Sequence, residues 1–75
     1  MSEFSNRVLE IVREITNIDE LDLDSTLDIT EWDSLAKVTF ITDIDTEFGK
    51  IIAPEDLANA TTIADLAALV ESSQA

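Results

Sequence analysis

Apolar residues recur at helical spacing in three separate segments of this chain, and that periodicity constrains the fold more than any other feature. The segments are residues 3–16, residues 34–48 and the stretch that begins at residue 63. An amphipathic helix must bury its apolar stripe, and these three stripes have one another as partners. The sequence therefore predicts an all-α fold, a small helical bundle.

The first predicted helix covers residues 3–16, with Ser2 as a plausible N-cap and Asn17 near its end. Arg7 and Arg13 lie off its apolar stripe and hold half of the chain's positive charge. The stripe has the spacing i, i+4, i+7, i+8 and i+11, which places its members on one side of a helix. Its members are Phe4, Val8, Ile11, Val12 and Ile15.

The second predicted helix covers residues 34–48, with Asp33 or Ser34 as its N-cap and Gly49 at the position that ends it. Ala36 is expected on the arc opposite the buried side, and Phe40 at the edge between the two faces. The buried side is expected to carry Leu35, Val38, Ile41, Ile44 and Phe48.

Two further helices are predicted after Gly49. Pro54 suits the first turn of a short third helix through about Ala58, with Leu57 facing inward. Thr61 or Thr62 then caps a fourth helix, and Thr62 with Asp65 has the spacing of a capping box. Residues 72–75 are expected to fray. The stripe of the fourth helix is Ile63, Leu66, Leu69 and Val70.

Residues 17–33 show no sustained helical period. Acidic and apolar residues alternate there, but nothing else in the chain offers a strand partner, so an ordered loop is predicted. A connection of this length in a compact domain is often functional. The residues expected to pin it to the bundle are Leu21, Leu23, Leu27 and Ile29. The complete prediction is one domain over residues 1–75, a four-helix bundle of three longer helices and one short helix.

The charge is strongly unbalanced, with 17 acidic and 4 basic residues and a formal net charge of −13. Such a chain repels phosphate backbones, so nucleic-acid binding is not expected. It favours rapid, salt-sensitive association with basic patches on other proteins, although simple solubility explains the same composition.

Several residue types that commonly carry chemistry are missing. The chain has no histidine, cysteine or tyrosine, so an independent catalytic site is not expected. The best metal alternative is a calcium loop with Asp22, Asp24 and Asp33, but Leu27 stands where an EF-hand needs glycine. No metal site is therefore predicted, although looser cation binding by crowded acids stays open. No apolar run is long enough to span a membrane, and a cytoplasmic monomer is expected.

The segment Glu31-Trp32-Asp33-Ser34-Leu35 places one hydroxyl at the start of the second helix. The unpaired N–H groups and dipole of a helix N-terminus suit a covalently attached phosphate there. The segment resembles the prosthetic-group site of acyl and peptidyl carrier proteins, in which the serine of Asp-Ser-Leu carries 4′-phosphopantetheine. Further segments that match the family are Phe48-Gly49, Pro54-Glu55-Asp56-Leu57 and Thr61-Thr62-Ile63.

The resemblance implies that Ser34 is modified by a phosphopantetheinyl transferase, with Asp33 and Leu35 as neighbours in the site. The arm's thiol would hold an acyl group as a thioester and present it to ligases, synthases or transferases with basic patches. Residues proposed to contact such partners are Asp43, Glu47 and Trp32, although packing is the stronger reading of Trp32. Phe40 and Ile63 are candidates to shelter an acyl chain, with core packing the stronger reading for Phe40.

Departures from the fatty-acid carriers leave the cargo open. Trp32 before Asp-Ser-Leu is more familiar in aminoacyl and peptidyl carriers and in free-standing carriers of specialised pathways. Lys37 puts a positive charge where many partners expect a negative one. The alternatives are therefore an acyl carrier, an aminoacyl, D-alanyl or peptidyl carrier, and an unmodified acidic interaction module.

Overall fold

The computed structural model describes residues 3–72, which form four helices in the order expected. Helix α1 packs against α4 and α2, and the short α3 contacts both α2 and α4. The all-α bundle of three longer helices and one short helix is confirmed, and no described helix is long and apolar enough to cross a membrane. The helices are α1 (Glu3–Thr16), α2 (Ser34–Phe48), α3 (Pro54–Ala58) and α4 (Ile63–Ser72).

Two predictions concern the chain ends. The N-cap expected at Ser2 and the fraying expected over residues 73–75 lie outside the described residues. Ser72, which was also expected to fray, is instead the last residue of α4, and its hydroxyl donates a hydrogen bond to the Leu69 carbonyl at 3.1 Å.

The core forms where the stripes of the longer helices meet. Leu9 and Ala67 are buried as well, so α1 and α4 bury wider faces than their predicted stripes. Phe4, Ile15 and Leu69 are partly buried against this core. The side chains that are fully withdrawn from solvent are Val8, Val12, Phe40, Ile44, Leu57, Ile63, Leu66 and Val70.

The predicted buried face of α2 is wrong at the start of the helix and correct further along, where three of its five members lie in the core or pack against it. Leu35 and Val38 are 74% and 59% exposed, whereas Phe40 is fully buried and Ala36 nearly so. Ile44 is the one predicted position that is fully buried, so the inward stripe runs Ala36, Phe40, Ile44. Helix α2 carries apolar residues on most of its sides, so more than one face could turn inward. Burying an aromatic ring removes more apolar surface from water than burying a valine does. That difference selects the face that carries Phe40.

The long loop lies on the bundle as predicted. Leu21 and Leu27 are buried, and Leu23 and Ile29 pack against the core at its edge. Asn17 ends α1 in the left-handed conformation, with a φ of 60°, which a short polar side chain tolerates.

The same loop has a pairing partner that the sequence did not reveal. Thr26 and Thr62 form one isolated antiparallel bridge. The extended entry to α4 is too short to show strand periodicity, which explains why the sequence predicts no partner. Loop carbonyls thereby accept hydrogen bonds from N–H groups of the first turn of α4, which otherwise have no helical partner. These two bonds are Ile63 N–H to Ser25 O at 3.1 Å and Ala64 N–H to Leu23 O at 2.9 Å. A third bond runs in the opposite direction, from the Leu27 N–H of the loop to the Thr61 carbonyl at 2.8 Å.

Local signals set two helix ends where the sequence placed them. Gly49 has a φ of 66° and donates its N–H to Asp45 O at 2.9 Å, which closes α2. The capping box at α4 is also formed, because the Asp65 N–H donates to the Thr62 hydroxyl at 3.2 Å and the Thr62 N–H donates to the Asp65 carboxylate at 3.1 Å. The Thr61 N–H donates to the same carboxylate at 3.0 Å.

The orientation of α2 predicts that Phe40→Ala and Val38→Ala differ sharply in stability. Phe40→Ala should cost about 3–5 kcal/mol of unfolding free energy, because a fully buried ring is replaced by a cavity. Val38→Ala should stay within about 0.5 kcal/mol, because the valine is largely exposed. Urea unfolding followed by circular dichroism measures both, and similar losses for the two variants would contradict this orientation of α2.

The α4 cap predicts a pH dependence of stability. Backbone N–H groups of Thr61 and Thr62 lower the pKa of Asp65 below its ordinary value of 3.8. Because the folded pKa lies below the unfolded one, the stabilisation is complete above the unfolded value and is lost as pH falls through the folded one. The melting temperature of wild type should therefore exceed that of Asp65→Asn at neutral pH, and the gap should narrow below about pH 4. A gap that does not change with pH would contradict this role for the carboxylate.

Candidate functional site

Asp33 is the N-cap of α2. Its backbone is extended, and its side-chain oxygen accepts a hydrogen bond from the Ala36 N–H at 2.9 Å. Its carbonyl accepts from the Lys37 N–H at 3.0 Å. Of the two N-caps that the sequence allows, the structure selects Asp33.

Ser34 is therefore not needed as the N-cap of α2. It is the first residue of α2 and is exposed. Among residues 3–72 its hydroxyl has no hydrogen-bond partner. An exposed hydroxyl without a structural role is available as a nucleophile for a modifying enzyme.

The start of α2 also suits an attached anion. The first turn of α2 contains no acidic residue. The Asp33 side chain caps the Ala36 N–H, which leaves the N–H groups of Ser34 and Leu35 without a helical partner. Free N–H groups and the positive end of the helix dipole favour a phosphate at this position. The residues present thus fit a phosphate ester on Ser34.

Trp32 fixes the segment that leads into the site. Its side chain is 6% exposed and packs edge-to-face on Phe40, with ring centroids 5.6 Å apart. Its N–H donates to the Ile29 carbonyl at 3.1 Å, which closes the turn before α2. The structure therefore places Trp32 in the core, two residues before Ser34.

Leu35 and Val38 form an exposed apolar pair beside Ser34. They lie three residues apart on α2, one turn of the helix from each other. The orientation that buries Phe40 places them in solvent. The sequence expected both to be buried, and so it missed this surface next to the hydroxyl.

Two open cavities flank the first turn of α2. One, of about 350 Å³, lies between the long loop, Lys37 and α3, and is lined in part by Asp28, Trp32 and Leu57. The other, of about 310 Å³, lies toward α1 and is lined in part by Glu31 and Asp33. Phe40 and Ile63, the candidates for sheltering an acyl chain, are fully buried in the core.

The two acids predicted to contact partners differ in their surroundings. Arg7 of α1 binds both carboxylate oxygens of Glu47, one through Nε and the other from Nη2 at 2.6 Å. This bond lowers the pKa of Glu47. Asp43, one helical turn before it, is half-buried and has no such partner in the described part of the chain. Arg7 also lies 3.3 Å from Glu10 and 3.8 Å from Glu14. The pair with Glu10 has the i,i+3 spacing of helix neighbours, whereas no local pattern indicates the contact with Glu47.

The described residues contain no group of acids placed to hold a metal ion. The Asp22 carboxylate, the first position of the calcium loop considered above, accepts hydrogen bonds from the Asp24 N–H at 2.9 Å and the Ser25 hydroxyl at 3.2 Å. This side chain therefore forms a local turn within the loop.

Comparison with known proteins identifies the family. A family model described as a phosphopantetheine attachment site matches residues 6–70, which is most of the chain. Neither the curated proteins nor the solved structures compared with the chain give a significant match. The matched family binds 4′-phosphopantetheine covalently. The chain therefore belongs to the phosphopantetheine-binding family of carrier proteins, to which acyl carrier proteins belong.

Proposed function

We propose that this protein is an acyl carrier whose Ser34 receives 4′-phosphopantetheine from coenzyme A. The observation that carries this proposal is the exposed Ser34 hydroxyl at the start of α2, left without a partner because Asp33 caps the helix. The alternative in which Ser34 is only an N-cap loses its support, since Asp33 already performs that role.

The chain's own residues prepare the hydroxyl and catalyse no later step. Ser34 Oγ would attack the phosphorus of coenzyme A that bears the pantetheine, a P–O bond of the diphosphate would break, and adenosine 3′,5′-bisphosphate would leave. The Ser34 hydroxyl proton would pass to a base of the transferase. The N–H groups of Ser34 and Leu35, which have no helical partner, would favour the negative charge of the phosphate at this helix end. When bound, the arm supplies a terminal thiol that holds an acyl group as a thioester. Partner enzymes carry out the reactions on that acyl group.

Ser34 is predicted to be the only residue that accepts the arm. With coenzyme A, magnesium and a promiscuous transferase, intact mass should show one phosphopantetheine on wild type and none on Ser34→Ala. Ser72→Ala is a matched control, because Ser72 lies in the last turn of α4, and it should load fully. Both variants should retain a helical circular dichroism spectrum. Addition of the arm to Ser34→Ala would assign the site elsewhere, and absence of the arm from well-folded wild type would favour the unmodified acidic module.

Asp33 is proposed to act both as a cap and as a charge that the transferase recognises, and two variants separate these roles. Asp33→Asn keeps a side-chain oxygen for the Ala36 N–H, whereas Asp33→Ala removes it. Asp33→Ala should lose about 1 kcal/mol of unfolding free energy and Asp33→Asn much less. If the charge is recognised, both variants should load more slowly than wild type. Normal loading of Asp33→Asn would limit Asp33 to capping.

We further propose that partners dock on α2 through the exposed apolar pair Leu35 and Val38 together with Asp43. Basic patches on an enzyme would be attracted to the acidic chain and oriented by Asp43. Glu47 contributes less to this proposal than Asp43, because Arg7 already binds its carboxylate.

Asp43→Asn is therefore predicted to slow association with the transferase at low salt more than Glu47→Gln does. The effect should lie mainly in the association rate and should fade at about 0.5 M salt, where charges are screened. Stopped-flow fluorescence with labelled transferase measures the rates. A larger loss for Glu47→Gln would show that the ion pair with Arg7 opens on docking.

The second candidate is an aminoacyl, D-alanyl or peptidyl carrier. Trp32 supports it, because a tryptophan directly before the Asp-Ser-Leu segment is more familiar in aminoacyl and peptidyl carriers. Loaded protein incubated with adenylating ligases for amino acids or for fatty acids separates the two candidates by the acid that becomes thioester-linked.

A further inference from the structure

Lys37 is the one basic side chain in residues 3–72 whose charge has no internal partner. The chain has four bases, and the other three are engaged. Arg7 pairs with carboxylates, Arg13 donates to a loop carbonyl at 2.9 Å, and Lys50 donates to two carbonyls near the end of α4 at 3.1 Å each. A free cation in so acidic a chain calls for an explanation.

The surroundings of Lys37 leave its charge unneutralised. Lys37 is half-buried along the cavity between the long loop and α3, and Asp28 lines the same cavity. No described carboxylate forms an ion pair with Lys37 within 4.0 Å, although 17 acids are present in the chain. The ammonium group is therefore available to an external anion.

Helix geometry places Lys37 beside Ser34. Residues three apart on a helix are surface neighbours, with Cβ atoms about 5–6 Å apart. Helical side chains lean toward the N-terminus, so the Lys37 stem lies over the turn that begins at Ser34. A lysine stem is long enough to bring its ammonium group to a phosphate held on the serine oxygen.

The negative charge near the start of α2 indicates what the Lys37 ammonium group could do there. Glu31 and Asp33 precede Ser34 in the sequence and line the cavity on the α1 side, whose lining contains no basic residue. An anion added at Ser34 is repelled by these groups and by the net charge of −13. Lys37, on the other cavity, is placed to offset that repulsion.

We propose that the Lys37 ammonium group binds the phosphodiester attached to Ser34 and positions the arm on the side of the cavity between the long loop and α3. This inference rests on the proposed attachment at Ser34. Lys37 is a positioning residue, since it acts on the charge of the linker and not on the thioester.

The test compares arm-bearing and arm-free forms of four proteins: wild type, Lys37→Gln, Lys37→Arg and the double variant Lys37→Gln/Thr39→Lys. Thr39 is exposed and lies on the α1-side cavity, so the double variant restores the net charge at the wrong position. Urea unfolding at low salt gives the change in the unfolding constant caused by the arm. The ³¹P resonance of the phosphodiester, followed as salt is raised, reports the ion pair directly in wild type.

Attachment of the arm should raise the unfolding constant about fivefold more in Lys37→Gln than in wild type, as expected for one charge pair near the surface. Lys37→Arg should behave as wild type, and the double variant should behave as Lys37→Gln. The ³¹P shift should depend on salt in wild type and Lys37→Arg only.

Two negative results are distinguishable. An arm that has equal effects in wild type and Lys37→Gln, with the same ³¹P response to salt, overturns the role of Lys37 while attachment at Ser34 stands. Wild type that receives no arm overturns the proposed function, and the inference about Lys37 falls with it.

Discussion

The edge-to-face contact between Trp32 and Phe40 determines the geometry of the whole site. Its rings lie 5.6 Å apart and join the end of the long loop to the middle of α2. Burying Phe40 fixes the rotation of α2 about its axis and leaves Leu35 and Val38 in solvent. Burying Trp32 anchors the chain two residues before Ser34. One aromatic pair thus places the hydroxyl, the exposed apolar pair and the free lysine around the first turn of α2.

At the start of α2, one side chain caps the helix and the next carries the free hydroxyl. Asp33 satisfies the helix end, and this leaves Ser34 free of structural work. The absence of acid from the first turn keeps the free N–H groups open to an anion. A family that binds its cofactor covalently needs a hydroxyl that is both fixed in position and chemically unused, and the arrangement around Ser34 provides both conditions.

The sequence predicted the features that depend on interactions between neighbouring residues, above all the limits of the helices. Gly49, Pro54 and the pair Thr62–Asp65 are local signals, and the helix limits follow from them. The sequence did not predict which face of α2 turns inward at its start, because this helix carries apolar residues on most of its sides. Only the packing of Phe40 against Trp32 selects the buried face. The bridge between Thr26 and Thr62 was also missed, since both partners are too short to carry a periodic pattern.

For the charged residues of the site, too, the sequence predicts what depends on neighbouring residues and not what depends on tertiary contacts. The sequence correctly predicts that Asp33 or Ser34 caps α2, but it cannot choose between them without coordinates. It gives Asp43 and Glu47 equal weight, and only the tertiary contact with Arg7 separates them. The free state of Lys37 is likewise visible only after the partners of the other three bases are known.

The most direct test of the central claim is fragmentation mass spectrometry of the protein isolated from its native host. The account predicts a phosphopantetheine group on the peptide that contains Trp32–Leu35, localised to Ser34, in a substantial fraction of the molecules. Protein that is folded and active in its host but carries no modification at Ser34 would contradict the account and indicate that the acidic surface acts alone.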